Sequence, residues 1–137
     1  MCYFIMGISE TEVSQELIEK LEKVNLFVRD YTNYVKDAKK GLYYYDISNG
    51  HCACELAVNP YSKITEVKSV ISELGNKGAF RFVVIDSECD DEFLLQEENQ
   101  ELEKLLEGFS EKTISAKELL KLYPEGIVFD TIYDVKS

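Results

Sequence analysis

Asn49-Gly50, set between the runs Gly41–Ser48 (GLYYYDIS) and His51–Ala57 (HCACELA), is the feature that most constrains the fold. An Asn-Gly pair supplies the two positive φ angles that a two-residue type I′ turn requires, so the segment predicts a β-hairpin. The register follows from the turn. Ser48 opposes His51, Ile47 opposes Cys52, Tyr45 opposes Cys54 and Tyr43 opposes Leu56. Alternation along the strands then predicts one apolar face carrying Tyr43, Tyr45, Ile47, Cys52, Cys54 and Leu56. Tyr44, Asp46, Ser48, His51 and Glu55 fall on the other face, which reads as the more exposed.

Helical and extended patterns alternate around this hairpin. Cys2 to Ile8 reads as a buried strand, and Ser9 with Glu12 forms an S-x-x-E capping box that opens a helix. Val13, Leu17, Leu21 and Val24 share one face of that helix. Asn25 to Tyr31 predicts a second strand, followed by a polar connection through Lys40. Asn59-Pro60 predicts a helix start and Gly75 its end. Ala79 to Asp86 predicts another strand. Leu94, Leu95, Leu102, Leu105 and Leu106 predict an amphipathic helix closing near Gly108. Ser115 with Glu118 makes a second capping box, for a short helix that reaches Pro124, and Gly126 to Val135 predicts a last strand. The pattern implies an α+β fold in one domain: a mixed or antiparallel sheet with a central hairpin and helices packed on it. A length of 137 residues and a 45% hydrophobic content are enough for a real core.

Charge is unevenly distributed. The chain has 26 acidic and 15 basic residues, a net charge of -11. Between Asp86 and Glu111 there are eleven acids and one base, Lys104, so this stretch carries -10 and the remainder about -1. Nucleic acid and anionic membrane are poor partners for such a surface, whereas a basic protein or a cation suits it. Asp90, Asp91, Glu97, Glu98, Glu101 and Glu103 are the candidate residues of an acidic docking surface. The charge physics matches that of small acidic proteins that neutralise basic toxins. Asp86 to Glu97 also echoes a calcium loop. However, Asp91 stands where that loop needs glycine, and a strand precedes it where a helix should.

Four cysteines (Cys2, Cys52, Cys54, Cys89) are too few for a disulfide framework, and the sequence predicts neither a leader peptide nor a membrane span. The expected setting is the cytoplasm, with reduced thiols. His51-Cys52-Ala53-Cys54, with Cys2 and Cys89, offers a zinc ligand set, yet C-x-C within a strand differs from the C-x₂₋₄-C turn of zinc ribbons. Cys52 and Cys54 share the apolar face, where a reduced thiol packs as a small hydrophobe. A nucleophilic thiol needs nearby positive charge, and Asp46 and Glu55 supply the opposite. No phosphate loop, nucleophile elbow or dinucleotide fingerprint is present, so neither a catalytic residue nor a cofactor is expected.

Met1-Cys2-Tyr3, together with Gly50-His51-Cys52-Ala53-Cys54-Glu55-Leu56, resembles a group of small bacterial proteins. These begin in the same way and carry a Gly-His-Cys-x-Cys-Asp/Glu-Leu run. The resemblance covers about the first 60 residues and brings no activity with it. It implies that Cys2 and the hairpin cysteines belong to one structural unit, which adds slightly to the case for a shared metal or redox role beyond what the register alone gives. Two readings follow, beside a third possibility, a scaffold with no ligand of its own. The first is a non-enzymatic protein-binding module with an acidic surface. The alternative is a thiol or zinc protein using Cys2, Cys52, Cys54 and His51.

Overall fold

A computed structural model describes residues 3–49, 63–86 and 101–136. Strands β1 (Tyr3–Ser9), β2 (Phe27–Asp30), β3 (Tyr43–Ser48), β4 (Phe80–Asp86), β5 (Ser110–Ser115) and β6 (Thr131–Lys136) form one sheet in the order β2-β3-β1-β4-β6-β5. Every neighbouring pair is antiparallel except β5 and β6, so the sheet is mixed and the fold is α+β. The helices are α1 (Gln15–Glu22), α2 (Ile64–Lys77), α3 (Leu102–Leu106) and α4 (Ala116–Leu122), with a single 3₁₀ turn at Thr32–Tyr34. No helix among the described residues is long and apolar enough to cross a membrane.

The interior strands explain the apolar runs. β1 lies between β3 and β4, and all its residues but Phe4 are buried. A strand covered on both faces is apolar on both, which is why Tyr3 to Ile8 shows no alternation. Tyr3, Ile5, Tyr45, Ile47, Phe80, Phe82 and Val84 meet Leu21 of α1, Val67, Val70, Ile71 and Leu74 of α2, and Leu119 of α4. On the other face Met6, Ile8, Tyr44, Val83, Ile85 and Ile132 meet Tyr31, Val35, Leu102 and Leu106.

The first arm of the expected hairpin is β3. The expected pairing of Ile47 with Cys52, Tyr45 with Cys54 and Tyr43 with Leu56 is corrected, because β1 and β2 occupy the two edges of β3 and leave none for a second arm; Gly50 to Leu56 themselves lie outside the described residues. β3 is hydrogen-bonded to β1 along one edge, where Ile5 opposes Ile47. Along the other edge it is bonded to β2, where Arg29 opposes Asp46. The expected exposure of Tyr44, Asp46 and Ser48 is corrected: all three are buried. Alternation separates two faces of a strand but does not reveal whether the second is covered.

Three further expectations shift. Ser9 does not cap α1, because it is still in β1, opposite Tyr43 and Phe80. Its hydroxyl accepts instead from the Thr11 amide, 3.0 Å away. The N-cap is Ser14, whose hydroxyl accepts from the Leu17 amide and donates to Glu73. The next helix runs through Gly75 to Lys77, stopping at Gly78, whose φ of 153° falls outside the helical range. β5 was not anticipated, since its first four residues are exposed and polar, as befits an outer strand. The second capping box holds as expected, with the Ser115 hydroxyl accepting from the Glu118 amide and the Glu118 carboxylate accepting from the Ser115 amide. The last strand begins at Thr131 rather than Gly126, because Gly126 closes a turn onto the Leu122 carbonyl and Asp130 takes a φ of 58°.

Gly75 is retained for closeness rather than conformational freedom. A Cβ there would lie 2.8 Å from the Ala116 Cβ, where α2 crosses α4. Gly75→Ala is therefore expected to destabilise the fold by about 1–2 kcal/mol, because overpacking outweighs the gain in helix propensity. Ala116→Gly in the same chain should recover part of the loss in urea unfolding. A Gly75→Ala midpoint equal to or above that of the wild type would refute this contact.

Candidate functional site

The acidic stretch ends on the sheet, and there its charges meet basic groups of the same chain. Arg81 is the one charged residue in the middle of the apolar β4 sequence FRFVVID, and Tyr44 sits on β3. Both stand opposite Ile8 of β1, so the register places them on the same face, on either side of that residue. They converge on Glu103 of α3. The Arg81 guanidinium donates through Nη1 to Glu103 Oε1 at 3.1 Å and through Nη2 to Oε2, a two-pronged pairing. The Tyr44 hydroxyl also donates to Oε2, and accepts from the Lys39 amide at 2.9 Å. Lys39 Nζ stands 3.8 Å from Oε1.

Burial by itself would push the Glu103 carboxyl up, but the hydrogen bonds from Arg81 and Tyr44 outweigh it and hold the group below the ordinary carboxylate range. The Tyr44 phenol is pushed well up, first by burial and then by its bond to Glu103. Both groups are therefore locked at neutral pH, with Glu103 an anion and Tyr44 a proton donor. Asp37 completes the arrangement. Its carboxylate accepts from the Glu103 amide at 3.0 Å and from the Lys104 amide at 2.8 Å, covering the open N–H groups at the start of α3.

This geometry changes the standing of the expected docking residues. Glu103 is buried and faces inward, so it is not part of a surface. Glu101 is exposed, with Lys36 3.8 Å and Lys104 3.6 Å from its carboxylate. Glu107 and Glu111 are exposed as well. Four acids and Lys104 lie between Glu101 and Glu111, and Lys36 approaches Glu101, and Lys39 and Arg81 approach Glu103, from elsewhere in the chain. The surplus negative charge therefore lies between Asp86 and Glu98, which holds seven acids and no base. Asp90, Asp91, Glu97 and Glu98 are outside the described residues, as are Cys2, His51, Cys52, Cys54 and Cys89. Among the described residues no group of His, Cys, Asp or Glu is arranged to hold a metal ion. Arg81 could have been noticed in the sequence as a lone charge in a buried strand. Its partner could not, because Glu103 looks like any other acid in its run.

A second charged pair lies near the other edge. Asp46 is buried on β3, and Arg29 Nη2 on β2 donates to its Oδ2 at 2.8 Å. Their side chains are 3% and 61% exposed, so the arginine reaches in from solvent over a sequestered carboxylate. A shallow open groove between α1 and α2 is lined by Leu17, Lys68, Ser69, Ser72, Glu73 and Asn76. The Glu73 carboxylate is already engaged by the Ser14 amide and hydroxyl, each at 2.7 Å.

No protein-family model matches the chain, and neither the curated proteins nor the solved structures contain a match to it.

Burial raises the Asp46 carboxyl above its ordinary range, and the hydrogen bond and charge of Arg29 offset only part of that. A carboxylate raised by folding contributes stability below its unfolded value, and that contribution is lost as pH rises through the folded value. The wild type should therefore lose stability relative to Asp46→Asn as pH climbs from below the usual carboxylate range through that window. At higher pH the difference should be constant. Paired denaturation curves across acid pH test this, and a difference that is flat throughout, or of opposite sign, would contradict it.

Proposed function

We propose that this protein is a non-enzymatic binding module of the bacterial cytoplasm whose acidic segment docks a basic protein, with immunity against a basic toxin as one concrete form. The observation that carries the reading is the segregation of charge. Seven acids without a base lie between Asp86 and Glu98, whereas Glu101 and Glu103, which follow, have basic neighbours within the chain. A field concentrated in this way steers a positive partner and raises association rates by ~10 to 10³-fold at low salt. It also disfavours nucleic acid and anionic lipid. The docking residues are then Asp90, Asp91, Glu97 and Glu98, with Glu101 at the margin, and Glu103 has a supporting role. Lysine substitutions at Asp90, Asp91, Glu97 and Glu98 should abolish capture of basic proteins from cell extract. Added salt should weaken wild-type capture steeply. Capture that survives both treatments would eliminate the docking reading.

A second reading, a thiol or zinc site on Cys2, Cys52 and Cys54 with His51 or Cys89, draws support from the sheet register. Tyr3 opposes Asp86, and Ile5 opposes Ile47, so the start of β1 and the ends of β3 and β4 meet at one end of the sheet. In sequence Cys2 directly precedes Tyr3, Cys89 is three residues beyond Asp86, and Cys52 is four beyond Ser48. Short spans of chain therefore connect all of them to that end. Zinc content and thiol reactivity of freshly reduced protein decide between the readings. One zinc per chain, with thiols that react only after chelation, would make the cysteines the functional centre. Metal-free protein whose thiols stay silent until denaturation is the outcome expected from the docking reading.

A further inference from the structure

We infer that α3 is a strap that folds and docks in one step, opening and closing over the sheet without the rest of the protein unfolding. The helix has five residues, too few to persist alone in water. No side chain of its own caps it. The Glu103 and Lys104 amides in its first turn are covered by Asp37, which belongs to the connection between β2 and β3. Its buried charge is matched by Arg81 of β4, Tyr44 of β3 and Lys39. Leu102 and Leu106 complete the attachment by seating on Met6, Ile8 and Val83.

Each of these attachments thus joins the helix to another element, so undocking removes what makes it a helix. The receiving surface does not depend on α3 in the same way. Arg81 and Tyr44 project from strands bonded to β1 on the interior of the sheet, and the Tyr44 hydroxyl is also held by the Lys39 amide. Opening uncovers an apolar floor of Met6, Ile8 and Val83, with the Arg81 guanidinium and the Tyr44 hydroxyl beside it. That surface fits an amphipathic segment presenting one carboxylate between two leucines, the pattern of α3 itself.

Amide hydrogen exchange on the full chain tests the strap. In the wild type the amides of Leu105 and Glu107 should exchange well before those of Met6 and Val83. Asp37→Ala removes the cap from outside the core and should accelerate the α3 amides about tenfold, leaving the β1 and β4 amides unchanged. Glu103→Gln, which keeps the shape and removes the charge, should act in the same direction. If α3 exchanges only at the rate of the central strands, or if the variants accelerate both sets by one factor, α3 opens by global unfolding and the strap does not exist.

Discussion

Covering both faces of the strands β3, β1 and β4 is the requirement on which the rest of the architecture depends. Once β1 is hydrogen-bonded on both edges and apolar on both sides, something must pack above the sheet and something below it. Above, the amphipathic helices α1, α2 and α4 meet it with aliphatic side chains, in the ordinary manner of an α+β fold. Gly75 shows how tightly that layer is drawn, since a Cβ there would run into the Ala116 Cβ.

The opposite face has a different cover. Among the described residues it is met by Tyr31, Val35 and the short α3. It also carries polar groups in the plane of the sheet: Arg81, the Tyr44 hydroxyl and Asp46. A charge taken out of water is costly unless it is matched, and a single unmatched partner is worse than none. Arg81 and Glu103 satisfy each other with good geometry, and Tyr44 and Lys39 fill the remaining sites around the carboxylate. Burial dominates at Asp46, whose one partner among the described residues is an arginine mostly in solvent, so its carboxyl is shifted up while that of Glu103 is shifted down.

This contrast bears on function. The acidic run is uniform as a sequence but not as a surface. In its later part Glu103 is drawn into the fold by Arg81 and Glu101 is flanked by Lys36 and Lys104, whereas the sequence from Asp86 to Glu98 has seven acids and no base. A docking surface there would be tethered at Asp86, whose amide donates to Asp130, and again at Glu103.

Several features were determined by the sequence alone. Apolar runs marked β1 and β4, the β-prone tyrosine run marked β3, and Ser115 with Glu118 marked the start of α4, because each of these signals is local. The net charge and its segregation were equally legible. The tertiary structure decided the rest. Ser14 displaces Ser9 as the cap of α1 because strand pairing extends to Ser9, and pairing is a property of residues distant in sequence. β5 emerges from a polar segment because β6 offers it an edge. Glu103 turns inward because Arg81, 22 residues away, already faces the same side of the sheet. No local rule distinguishes it from Glu101 or Glu107, since which acid a buried arginine takes depends on where the chain returns.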